Sequence, residues 1–168
     1  TQSLSSAASD VYKRQGTVII DSGQTLSTGD GDNSTIAGVI SGDGSLTKLG
    51  SLSTLTLSAT NTFTGATAVT GGTLKVTQNN ALGTVAAGTS VSAGATLELN
   101  NINYSTAEAL SLSGTLGATG TSTFAGVTTI AASAVISSAT SLTMSAGLAG
   151  TAALEKTGAG VLLSLIHI

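Results

Sequence analysis

The densest run of oxygen ligands in the chain is Gly29-Asp30-Gly31-Asp32-Asn33, with aspartates two residues apart in a glycine-rich turn. Calcium takes about six to eight oxygens at short range, and this spacing supplies half of a calcium loop. No glutamate follows at the offset that closes such a loop, and the nonapeptide calcium pattern does not recur along the chain. Asp43 can join only if the next turn stacks on this one. A solvated turn is therefore the expected role. Asp30, Asp32 and Asp43 are the candidate metal ligands should a cation be held, and no cofactor is expected.

Acid–base or nucleophilic chemistry finds even less support. Glycoside cleavage needs a pair of carboxylates across one bond, yet Asp21, Asp43, Glu98, Glu108 and Glu155 are scattered along the chain. Serines and threonines are abundant, but a nucleophilic hydroxyl needs a base, and Lys48, Lys75 and Lys156 have no motif around them. Lys48 and Lys156 sit in similar Leu-x-Lys-x-Gly contexts and are expected to be exposed cations that blunt a strand edge. Asn61 and the pair Asn79-Asn80 are expected to stack as side-chain ladders at corners. Thr54, Thr56, Thr64 and Thr67 do not recur in the Thr-x-Thr register that an ice-binding face requires. No catalytic residue is expected.

The two ends read differently from the rest. Leu163 to Ile168 (LSLIHI) resembles the translation of a transposase mosaic end used in sequencing libraries. Its reverse complement encodes Asp10 to Gln15 (DVYKRQ), and Ser5 to Ser9 (SSAAS) fits the adjoining adapter arm. Residues 1–15 and 163–168 are thus expected to be adapter-derived tails, and 16–162 an internal piece of a longer, metagenomic reading frame. Both the single histidine (His167) and the single arginine (Arg14) fall in those tails.

Composition narrows the class further. Within 16–162, three lysines stand against Asp21, Asp30, Asp32, Asp43, Glu98, Glu108 and Glu155, a net charge of −4. Without a basic cluster, neither nucleic acid nor an anionic membrane is an expected partner. Charged residues make up 8% and aromatics 2%, with 22 glycines, no proline and no cysteine. Disulfide frameworks and thiolate metal sites are excluded. Hydrophobic residues still reach 40% and are regularly spaced, which argues against disorder. Small β-formers with few aromatics suit a narrow core between tightly stacked coils.

The elements bear this out as short strands between turns. Thr54-Leu55-Thr56-Leu57 and Thr73-Leu74-Lys75-Val76 alternate polar and apolar, the period of a strand with one buried face. Gly-x-Thr-Leu occurs at Gly23, Gly71 and Gly94, with an echo, Ala-Thr-Ser-Leu, at Ala139. Read as two, one and two coils, the separations of 48, 23 and 45 residues imply a period of about 22–24 residues and roughly six coils. The reading is all-β, a β-solenoid with three short strands per coil and no helix. Ala107 to Leu110 is the only stretch with weak helical propensity.

One stretch carries a family resemblance. Leu46-Thr47-Lys48-Leu49-Gly50, Thr54 to Leu57, Asn61-Thr62-Phe63-Thr64-Gly65 and Gly71-Gly72-Thr73-Leu74 resemble, in order and spacing, the passenger-associated β-strand repeat of bacterial autotransporters. The repeat region spans 42–76. A second start lies in 152–162, at Leu154-Glu155-Lys156-Thr157-Gly158-Ala159-Gly160, and fits the family turn better than Leu49-Gly50-Ser51-Leu52-Ser53 does. The resemblance implies a right-handed parallel β-helix in a type V secretion passenger. It also implies a place at the cell surface or outside it, reached through the outer membrane of a Gram-negative bacterium. The implied partners are neighbouring coils, a C-terminal translocator barrel in the same longer chain, and a host or neighbouring-cell surface if the passenger is adhesin-like; the solenoid itself is expected to be monomeric. A polysaccharide-active β-helix enzyme and a calcium-stabilised solenoid are the alternatives.

Overall fold

The computed structural model describes residues 2–3, 13–14, 16–29 and 31–164. Every regular element among them is a strand, and every strand pairing is parallel. The chain winds as a three-sided solenoid of about seven turns. One face stacks Thr25–Thr28, Ser45–Lys48, Thr67–Val69, Thr89–Val91, Leu110–Leu112, Thr128–Ile130 and Leu148–Ala149. The second stacks Ser34–Ile36, Thr54–Leu57, Thr73–Val76, Thr96–Asn100, Thr115–Thr119, Ala134–Ser138 and Leu154–Thr157. The third is a sheet only at its ends, with Val18–Ile19 on Ile40–Ser41 and then Asn103–Tyr104, Thr121–Phe124, Ser141–Met144 and Val161–Ser164. Gln2–Ser3 and Lys13–Arg14 extend the first two faces.

Alternation builds the core. On the second face Leu55, Leu74, Leu97, Leu116 and Ile136 occupy one register column, and Leu57, Val76, Leu99 and Ala118 the next, all pointing inward and buried. Residues of these columns recur once per coil, about 4.8 Å apart along the axis, so each inward side chain packs on its counterparts above and below. The outward columns carry threonine, serine and the Lys75–Glu98 pair (3.2 Å).

Coils are shorter than the sequence repeat suggests. On the first face the partners Leu26, Leu46, Thr67, Thr89, Leu110, Thr128 and Leu148 are 18 to 22 residues apart. The reason lies in the corners. Gly23 leads into the first face, Gly71 and Gly94 into the second, and Ala139 into the third. The 48 residues from Gly23 to Gly71 are two coils plus one face, as are the 45 from Gly94 to Ala139; only the 23 from Gly71 to Gly94 make one coil. Gly-x-Thr-Leu marks the corners into the first and second faces, and its echo Ala-Thr-Ser-Leu the corner into the third.

The middle of the third face is held without regular strands. Thr62 N–H donates to Ile40 O (2.8 Å), Thr64 N–H to Gly42 O (2.9 Å) and Thr84 N–H to Phe63 O (3.0 Å). These bonds continue the ladder through the coil that contains the Asn61–Gly65 turn and into the coils on either side of it.

Candidate functional site

The repeat at 46–76 occupies one coil and two faces of the next. Its apolar residues Leu46, Leu55, Leu57, Phe63 and Leu74 all lie in the core. Lys48 lies there as well, only 1% exposed, which corrects the expectation of an edge-blunting cation. The cause is parity. Leu46 points inward, so Lys48, two residues on, must do the same, between Thr28 below and Val69 above.

Lys48 is held by oxygens. Its ammonium donates to Gly50 O (3.1 Å), Ser53 Oγ (2.9 Å), Gly71 O (3.3 Å) and Leu49 O. Three protons are thus shared among four acceptors, three of them turn carbonyls. Burial pulls its pKa below the usual 10.5, while acceptors favour the charged form and act in the opposite sense. The backbone of Lys48 is tied to the following coil too: Thr70 donates to Lys48 O through both its N–H (2.9 Å) and its Oγ1 (3.0 Å).

Two glycines shape this cage. Gly50 (φ 74°) lets the turn close against Gly29 below, and Gly72 (φ 63°) closes it from above. A Cβ at Gly72 would stand 2.8 Å from the Lys48 Nζ and collide with the carbonyls of Gly50 and Ser53. Gly71 differs: its φ is not positive, and the nearest atom to an added Cβ is Gly50 C at 3.3 Å. Gly65 packs directly on Gly44 in the coil below.

Asn61 joins three coils by itself. Its Oδ1 accepts from Ile40 N–H (2.8 Å), and its Nδ2 donates to Ala81 O (2.6 Å), so the buried amide is paired above and below. No asparagine ladder forms with Asn79 and Asn80. Those residues instead serve the Ser105–Thr106 excursion, where Asn79 Oδ1 accepts from Ser105 N–H (3.0 Å) and Asn79 Nδ2 donates to Ser105 Oγ (2.9 Å). Phe63 is fully buried with Gly83 against its ring.

Lys156, Gly158 and Gly160 repeat the local turn at another corner. Lys156 pairs in register with Ile136, an inward column, and its ammonium donates to Thr157 O (2.7 Å) and Gly158 O (2.9 Å). Gly158 has φ 76°, close to that of Gly50, and Gly160 packs on the Thr140 backbone. Lys156 nonetheless stands exposed, in the last coil among the described residues.

The remaining acidic groups are not brought together. Asp30 lies outside the described residues, as does His167. Asp32 is in the turn that leads into the second face; Asp43 is in the turn that leads into the first, where its Oδ1 accepts from Thr64 Oγ1 (3.0 Å). Among the described residues no three His, Cys, Asp or Glu side chains gather into a metal-sized group. Glu98 is engaged by Lys75 and by Thr119 Oγ1 (3.0 Å). Glu155 lies three coils further on, on the order of 14 Å along the axis, beyond the separation of a glycosidase pair.

Sequence reasoning missed Glu108. It is 1% exposed, its Oε1 accepts from Thr89 Oγ1 (2.9 Å), and its Oε2 has no partner. Burial pushes its pKa up, and the Thr89 bond offsets this only in part. Beside it Tyr104, fully buried and stacked on Phe124 at 5.6 Å, accepts the Leu82 N–H at its hydroxyl (3.2 Å). Burial raises the Tyr104 pKa well above the phenol range, the Leu82 bond opposes this, and the charge of Glu108 adds to it. Nothing in the sequence marks Glu108, because it lies in an irregular corner where alternation gives no parity.

The stretch 46–76 matches the family model of the passenger-associated-transport-repeat. No curated protein and no solved structure matches the chain. A repeat of this kind on a parallel β-solenoid fits an autotransporter passenger segment.

Proposed function

We propose that the chain is a structural, non-catalytic segment of a secreted surface passenger. One observation carries this reading: the residues matched to the passenger repeat are core and corner residues. Leu46, Leu55, Leu57, Phe63 and Leu74 fill the interior, Gly50 and Gly72 shape a corner, and Lys48 and Asn61 join neighbouring coils. The repeat therefore works by making one coil seat on the next. Each seated coil buries apolar surface against a formed template, and outside the outer membrane that free energy opposes return of the chain. The repeat thus assists outward folding, and the long outer faces are displayed at the cell surface of a Gram-negative bacterium, where an adhesive role belongs to residues outside the repeat.

Support against the polysaccharide-active alternative comes from the separate placement of Glu98, Glu108 and Glu155; support against the calcium-stabilised one comes from Asp32 and Asp43 lying at different corners. The test is surface display. Placed between a signal peptide and a translocator barrel, the chain should reach the surface, where external protease removes it from intact cells. Retention in the periplasm, with the barrel inserted, would overturn the reading.

A further inference from the structure

Gly117 stands apart from the other glycines. Among the described strands it is the only glycine, in Thr115–Thr119. Its φ is not positive, and an added Cβ would meet nothing closer than Thr96 Cγ2 at 3.7 Å. The backbone accepts a side chain there, and a glycine inside a strand weakens it through chain entropy and lost packing. The fold gives no reason for this one; such a glycine also marks a place where another group approaches the backbone. It lies in an outward column, in register with Lys75 and Glu98 on one side and Ser137 on the other. Glu98 and Ser137 are two rungs apart, about 10 Å, with no side chain between them. The result is a notch of about 450 Å³ with Gly117 buried at its floor, bordered by Thr96, Glu98, Thr115, Thr119 and Ser137. That volume is within the range of small-molecule sites. The notch opens on the outer face, with the strand Thr73–Val76 before it and Leu154–Thr157 after it.

Polar groups around the notch are already oriented. Glu98 Oε1 takes both Lys75 Nζ (3.2 Å) and Thr119 Oγ1 (3.0 Å), and Thr119 Oγ1 in turn accepts from Asn100 Nδ2 (2.8 Å). These bonds fix the carboxylate through one oxygen and leave Oε2 for a ligand. The hydroxyls of Thr96, Thr115 and Ser137 have no hydrogen-bond partner among the described residues, and each can donate or accept. Lys75 balances the charge of Glu98, so the notch favours neither a cation nor an anion. A neutral ligand with several hydroxyls on one compact ring answers all of these groups at once. We propose that the notch binds a single pyranose residue of a neutral glycan, its ring over Gly117 and adjacent hydroxyls donating to Glu98 Oε2. Its other hydroxyls pair with Thr96, Thr115 and Ser137. No second carboxylate lines the notch, so the sugar is held and not cleaved. This gives the adhesive role a ligand class and to that extent rests on the surface-passenger reading; binding by the purified chain does not.

The test is a titration of the intact, isotope-labelled chain with the methyl pyranosides of glucose, galactose and mannose, followed through its backbone amide resonances. At least one of the three should move the Gly117, Glu98 and Thr119 amides saturably, with a Kd on the order of 1–10 mM. The amides of Gly50 and Gly72, at the repeat's corner, should stay still. Gly117→Thr fills the notch with a β-former that the strand accepts, so it should raise the Tm while abolishing the saturable shifts. A glycine with only a structural role would not give that pair of results. Glu98→Gln, which keeps the fold and an acceptor but not the charge, should weaken binding about tenfold. No saturable shift from any of the three sugars, or shifts that survive Gly117→Thr, would overturn the proposal. So would saturable binding of methylammonium at the same amides, which would make the notch a cation site. Failure here leaves surface display to its own protease test, and failure of display leaves the sugar site standing.

Discussion

Lys48 and Glu108 are both 1% exposed, and they meet the same problem with different completeness. Lys48 lies at a regular corner, where turn carbonyls converge from two coils and a serine hydroxyl joins them. Glu108 lies in an excursion with one hydroxyl donor and an orphaned Oε2. The difference follows from chemistry available to a solenoid corner. Tight turns aim carbonyls inward cheaply, so a buried cation finds acceptors without any partner side chain. A buried anion needs donors, and the backbone N–H groups here are already committed to the ladders between coils. A narrow β-solenoid of this sort tolerates an inward lysine better than an inward glutamate.

The most damaging way to break this comparison is to fill the cage. Gly72→Ala forces a Cβ against two carbonyls and the ammonium in a left-handed conformation, and should cost roughly 3 kcal/mol or more. Gly71→Ala, one residue away, should cost no more than about 1 kcal/mol. Denaturant melts of the pair decide it: equal losses would mean that the doublet matters only as a flexible hinge. Emptying the cage comes next. Lys48→Met keeps the length and apolar stem but leaves the carbonyls and Ser53 Oγ without their donor, an expected loss of about 3 kcal/mol. A neutral or stabilising Lys48→Met would show that the lysine is merely tolerated.

Glu108 should respond with the opposite sign. Its native pKa is raised above the ordinary 4.5 by burial, so the native state holds the proton more tightly than the unfolded chain does. Its contribution is fully present below pH 4.5 and is lost as pH rises through the raised native value. Glu108→Gln keeps an acceptor for Thr89 and cannot ionise. It should match the parent near pH 4 and exceed it at pH 7 by roughly 1 kcal/mol, read as a higher Tm. A gain that is the same at both pH values would place the effect in packing. The smallest change expected is in an exposed charge: Lys75→Ala breaks the 3.2 Å pair with Glu98 on the outer face and should cost no more than about 0.5 kcal/mol. A larger loss would erase the distinction between charges inside and outside the coil.

Much of this was legible in the residues. Thr54–Leu57 and Thr73–Val76 alternate as read, and their inward leucines and valine are buried. The stacked β-solenoid followed from short strands, frequent glycine and the absence of proline, and its parallel pairing from the family resemblance. Coil length was not legible, because a corner sequence that, with its echo, occurs on all three sides makes the spacing between copies a count of faces. Lys48 was misread because charge was weighed before parity, although Leu46-Thr47-Lys48 already fixes its direction. The cage was hidden for a deeper reason: its ligands are main-chain oxygens, which every residue carries. The turns of Asp32 and Asp43 do not stack, because the second and third faces, Ser34–Ile36 and Ile40–Ser41, lie between them. Glu108 gave no signal at all.

The parallel ladders have one more consequence, for a chain under load. Their hydrogen bonds run along the solenoid axis, so a pull on the two ends opens them a rung at a time, like a zip. A rung occupies about 4.8 Å of rod, but its 18 to 22 residues, once drawn out, span on the order of 70 Å. Each rung that opens thus lengthens the rod more than tenfold locally while the rest stays folded. Lys48 makes one of these steps harder than its neighbours, a catch partway along an extensible tether.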